Sequence, residues 1–87
     1  MSRPVVAELT LTALPRLRPA TITAIAWDRL ALPEARRLRE LGFAEGVGVE
    51  VLHRAGLGGG PIACRIGRMQ VALRRAVAAA VRVSPAA

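Results

Sequence analysis

The chain has 87 residues and a mass of 9.2 kDa, with thirteen basic residues against six acidic ones, a net charge of +7 and a pI of about 11.8. A chain this short makes one small domain whose thin core leaves little stability to spare for a catalytic cleft, which argues against an enzyme. Its single cysteine, Cys64, rules out an intrachain disulfide, and charged residues interrupt every apolar run before the ~18 residues that a membrane-spanning helix needs.

Residues 1–8 show no pattern and read as a flexible N-terminal arm, with no basic region, apolar run and cleavage site in the order of a secretory leader. A reducing cytoplasm is the expected location. LTLTAL, residues 9–14, alternates leucine with small or polar residues before Pro15 and Pro19, and predicts a short lead-in turn or strand. TITAIAW, residues 21–27, has β-branched residues at 21, 22, 23 and 25 and predicts the first full strand.

From Pro33 the period changes. Ala35, Leu38 and Leu41 share one helical face, and Pro33 suits a first helical residue. Glu34 to Arg37 and Arg36 to Glu40 have the spacing of surface ion pairs. Gly42 is placed to take the left-handed residue after the helix, with Phe43 packing back on Leu38.

After Gly46 the period is two, with Val47, Val49 and Val51 on one face and Glu50 and Leu52 on the other. AGLGGGP, residues 55–61, reads as a hairpin loop leading to Ile62, Cys64 and Ile66, another core-facing set. Gly67 and Arg68 turn the chain into Met69, Val71 and Leu73, again expected in the core. Residues 74–80 predict a single helical turn, and Val81 and Val83 a last strand. The fold expected is mainly β: a small, strongly bent barrel of about five strands, with one short helix after the first strand and a helical turn before the last. Closure removes exposed edges. The domain spans residues 9–83, followed by a tail at 84–87.

The charge invites a nucleic-acid partner, but two observations oppose a specific one. Every basic residue is arginine in a chain also rich in alanine, glycine and proline, the composition that GC-rich coding gives any protein. One Trp, one Phe and no Tyr leave little for bases to stack on.

Chemistry is sparse. His53, Cys64 and Met69 are isolated soft or borderline metal ligands, Cys64 reads as a buried thiol and His53 as solvated, so no metal and no cofactor is expected. One His and one Cys without an orienting carboxylate make no catalytic set, so no catalytic residue is assigned. GLGGGP lacks the lysine and Ser/Thr of a phosphate loop and lies between strands. Leu57 in that loop is either a plug for the barrel end or a partner contact.

Taken in order, LTLTALPRLRPATITAI, RRLRELGFAEGVGVEVLHRAGLGGGPI and MQVALRRAVAAAVRV make the chain resemble the FeoA family across residues 9–83. Arg37, Leu38, Leu41, Gly42, Gly46, Gly59, Pro61 and Ile62 match its middle signature, and Leu73, Arg74, Ala78, Val81 and Val83 its closing one. Two departures stand out. Leu17, Arg18 and Pro19 occupy the turn where the family usually has a glycine, and Gly60 replaces an acidic residue common before the loop proline.

The resemblance implies an SH3-like β-barrel and a non-enzymatic protein that binds or regulates the ferrous iron transporter FeoB on its cytoplasmic side. It leaves homo-oligomerisation open, and it places the protein at the membrane only through its partner. Arg36, Arg39 and Leu57 are then the expected partner-binding residues. A basic nucleic-acid or ribosome-associated SH3-like module is the rival, and a detached counterpart of the barrel of iron-dependent repressors a third reading.

Overall fold

The computed structural model describes residues 9–55 and 59–86; the expected arm at 1–8 and Leu57 lie outside them. Among the described residues the chain forms β1 (Leu9–Thr10), β2 (Ala20–Ile25), a 3-10 turn at Trp27–Arg29, α1 (Leu32–Leu41), β3 (Gly48–Arg54), β4 (Ile62–Ile66), β5 (Met69–Leu73), α2 (Arg75–Ala78) and β6 (Val81–Pro85). The strands make one antiparallel sheet in the order β1-β6-β2-β3-β4-β5. This is the mainly β, SH3-like architecture expected, with one strand more than the five predicted; the expected closure is incomplete, because among the described residues β1 and β5, at the two ends of the order, do not pair with each other. The added strand is the lead-in segment, which pairs Leu9 with Val83 and Thr10 with Arg82.

Alternation sets the core. Ile62, Cys64 and Ile66 of β4, Val49 and Val51 of β3, Ile22 of β2 and Val81 and Val83 of β6 all turn inward, joined by Leu11, Leu14, Leu38, Phe43 and Leu73. Each large apolar side chain among them contributes about 1.5–3 kcal/mol by leaving water. Met69 departs from its expected place, being 44% exposed. It shares a face with Val71 and Leu73, but it sits at the hairpin tip beside the Gly67–Arg68 turn, where that face runs beyond the core.

Three boundaries also shift. The first full strand stops at Ile25 rather than 27, because Ala26 bonds to Ala80 and its own carbonyl then accepts Arg29 N–H at 3.0 Å, starting the 3-10 turn. Helix α1 begins at Leu32, so Pro33 is its second residue. Strand β6 runs to Pro85, past the expected limit of 83, and Ala86 N–H reaches Pro19 O at 2.9 Å.

Helix α1 is held by its ends. Glu34 reaches back to accept Ala31 N–H at 3.1 Å, while Ala31 has no side-chain oxygen to return the bond, so half of a capping box is present. At the other end Gly42 takes φ 96°, its N–H bonds to Arg39 O and Phe43 N–H bonds to Leu38 O, the paired bonds of a Schellman ending, with Leu38 and Phe43 both buried.

The segment between β1 and β2 is tied down from β3. Half-buried Arg54 donates through Nε and Nη2 to Thr12 O, at 3.2 and 3.0 Å, and through Nη2 to Leu14 O. Leu17 N–H donates to Val51 O at 2.7 Å, with Leu17 itself at φ 64°. Gly60 is forced by space: a Cβ there would lie 2.1 Å from Ala55 O, so the acidic residue common in the family has no room in this loop.

Candidate partner-binding surface

With 100° between successive helical residues, the arginines of α1 separate around its axis. Ala35 and Leu38 face the core, and Arg37 and Arg39 emerge on opposite flanks. Arg36 and Glu40 point away from the sheet. The predicted Glu34–Arg37 and Arg36–Glu40 ion pairs do not form. Glu34 is engaged at the helix start instead, and fully solvated pairs gain too little to hold long side chains together. Among the described residues the one ion pair is Arg65 with Glu50, directly across β3 and β4 at 3.2 Å.

Arg39 lies over the ring of half-buried Trp27, 4.3 Å from its centroid. The contact is a cation–π stack worth ~0.5–1 kcal/mol at an exposed site. It occupies the face of the one tryptophan, a ring on which a base could otherwise stack. Arg36 is exposed and makes no contact of this kind. The structure therefore puts Arg36 and Arg39 on the same helix but in different settings, one free and one stacked.

On the other flank a groove of about 460 Å³ runs between α1 and the end of β5. Leu38, Leu73 and Val77 form its buried floor, and Arg37, Arg74 and Glu34 its rim. Pro33 and Ala72 complete the walls. Sequence reading does not single out Arg37 and Arg74 as a pair, because a helix residue and a strand-end residue far apart in the chain share no periodic signal. A second hollow, of about 380 Å³, lies where the start of β2 pairs with the start of β3, beside the Glu50–Arg65 pair.

Of the possible ligands and nucleophiles, Cys64 is fully buried, and burial pushes its thiol up to about 11, so the reactive thiolate is suppressed at neutral pH. His53 is exposed on β3, paired in register with Ala63. Among the described residues no three His, Cys, Asp or Glu side chains come together as a metal-binding group, and no helix is long and apolar enough to cross a membrane.

The described residues thus make a small SH3-like domain with a helix inserted between β2 and β3, a basic exterior and an apolar groove rimmed by arginine. The chain belongs to the FeoA family: the FeoA domain model matches residues 9–85. The FeoA of Stenotrophomonas maltophilia, solved in complex with zinc, is 35% identical over 87% of this chain and 89% of that one, with a TM-score of 0.73. It is described as an SH3 domain protein with a suggested role as a ferrous iron transport activating factor. The FeoA protein of Chlorobium tepidum is 30% identical over 91% of this chain and 71% of that one, with a TM-score of 0.78. A manganese-dependent transcriptional repressor shares the fold alone, at 23% identity and a TM-score of 0.79, over 95% of this chain and 44% of the repressor. No curated protein matches the chain.

Proposed function

We propose that this protein is a non-enzymatic accessory or regulatory protein of ferrous iron uptake, acting by binding the FeoB transporter on its cytoplasmic side. Its membership of the FeoA family carries this reading. The ferrous iron transport role suggested for the 35% identical S. maltophilia protein supports it. A surface with net charge +7 suits an acidic partner, since charge steers encounter and selects among partners more than it fixes affinity. Arg36 and Arg39 on α1 are assigned to the contact, and Leu57 is assigned to it on sequence grounds.

The test is recovery of the transporter on the tagged full chain from gently solubilised native membranes, at roughly physiological ionic strength where loose electrostatic contacts are partly screened. Arg36→Glu with Arg39→Glu is expected to reduce recovery by roughly tenfold, about 1.4 kcal/mol, with the circular dichroism of the folded domain unchanged. Full recovery by the double variant removes both residues from the interface. Recovery of RNA or ribosomes alone from the wild type replaces this reading with the nucleic-acid one.

A further inference from the structure

Strand β5 lies at the edge of the sheet, and among the described residues it pairs only with β4. Its register fixes which main-chain groups are spare. Gly67 and Arg68 make a two-residue loop, with Gly67 at φ 59°, so the flanking pair Ile66 and Met69 closes the hairpin by exchanging hydrogen bonds. Bonded and non-bonded pairs alternate along an antiparallel ladder. Val71 and Leu73 therefore also bond to β4, and the N–H and C=O groups of Gln70 and Ala72 point out from the free edge.

Such a row is a template for another strand. Proteins often blunt it by covering the edge or with charged side chains, whereas the edge residues here are exposed Gln70 and Ala72. Ala72 also lines the groove against α1, so the unpaired main chain, the floor of Leu38, Leu73 and Val77, and the guanidinium groups of Arg37 and Arg74 meet in one place. The carboxylate on that rim, Glu34, is already bonded to Ala31 N–H.

We propose that the edge of β5 and the groove beside it bind an extended acidic peptide segment of a partner protein, which adds to the sheet as a further strand through Gln70 and Ala72. Main-chain bonds supply affinity in this mode of recognition, and alternate side chains supply specificity. Apolar residues of the segment cover the groove floor, and its carboxylates meet Arg37 and Arg74. A second copy of this chain is a poorer occupant, because pairing two β5 edges brings together molecules that each carry +7 and places their arginine rims side by side. The proposal rests on the reading of the domain as a protein-binding module, but on no particular partner.

The experiment titrates the isotope-labelled full chain with an end-capped peptide of about eight residues alternating valine and glutamate, the length of an ordinary strand. Amide shifts are expected at Gln70, Ala72 and Arg74 and across the groove at Arg37 and Leu38, with no comparable response to the valine–lysine counterpart. Arg37→Glu with Arg74→Glu should weaken binding at least tenfold, by roughly 1.4 kcal/mol. Ala72→Pro removes an outward N–H at an edge, where proline is tolerated, and should also abolish binding. If that variant does not fold, methylating alternate peptide nitrogens makes the same test from the ligand side.

Equal binding of the lysine peptide, shifts confined to Trp27, Arg36 and Arg39, or a concentration-dependent dimer joined through Ala72 each overturns the proposal. The two readings fail separately. Transporter recovered undiminished by the Arg37 and Arg74 double variant, with no peptide binding, sinks the groove alone. Peptide bound as described, with no transporter recovered by the wild type, sinks the transport assignment alone.

Discussion

Leu17 holds a left-handed backbone, φ 64°, in the turn where the FeoA family usually has a glycine. For a residue with a Cβ this region costs about 1–2 kcal/mol, and a side chain that is 56% exposed returns little of it by burial. The turn keeps its shape because Leu17 N–H is bonded to Val51 O and Arg54 grips Thr12 and Leu14 just upstream. Leu17→Gly is expected to stabilise the domain by about 0.5–1 kcal/mol, after the added freedom of glycine in the unfolded chain is subtracted. That amounts to a rise of a few degrees in Tm, roughly 4–8 °C per kcal/mol for a domain of this size. Leu17→Ala keeps the Cβ and should change little; thermal unfolding of both separates backbone relief from loss of the leucine. The sequence showed that a glycine was missing here. It could not show that the backbone shape was retained, because the bonds that impose it come from β3.

At the scale of elements, α1 shows what local pattern can and cannot reveal. Its core face, its glycine ending and its Leu38–Phe43 contact were legible from spacing, since each involves residues within one or two turns. Its start is unfinished: Glu34 supplies one bond of the capping box, and Ala31 cannot supply the other. Ala31→Ser should complete the box and stabilise the domain by about 0.5–1 kcal/mol, read as a higher urea midpoint at unchanged slope. No gain would mean that the first-turn amides are already satisfied. The stacking of Arg39 on Trp27 and the drawing of Arg37 into a groove were hidden, because they depend on which elements flank the helix. The candidate surface was therefore readable as a basic helix, but the different settings of its arginines were not.

For the whole molecule, the hairpins that join β3, β4 and β5 followed from alternation and the turns between them, whereas the pairing of β6 with both β1 and β2 joins segments at opposite ends of the described chain and leaves no local mark. The arginines likewise sort only in three dimensions. Arg54 holds backbone carbonyls, Arg39 a ring, Arg65 a carboxylate and Arg18 the Ala86 carbonyl, while Arg36, Arg37 and Arg74 stand exposed. With a net charge of +7 the folded state repels itself more than the expanded chain does. Raising sodium chloride from roughly 0.01 to 0.15 M shortens the screening length from about 30 to 8 Å and should raise Tm. A fall in Tm would mean that attractive pairs outweigh the repulsion.

Strand β6 lies between β1 and β2, so the segment made after every other strand occupies an interior place in the sheet. Until residues 81–85 have left the ribosome, β1 has no strand to pair with, β2 lacks its longer partner and the core lacks Val81 and Val83. The native sheet can thus form only once β6 has been synthesised. Until β6 joins, the strands already made carry exposed leucine, isoleucine and valine, which makes that interval, more than the finished surface, the stage at which aggregation threatens the domain.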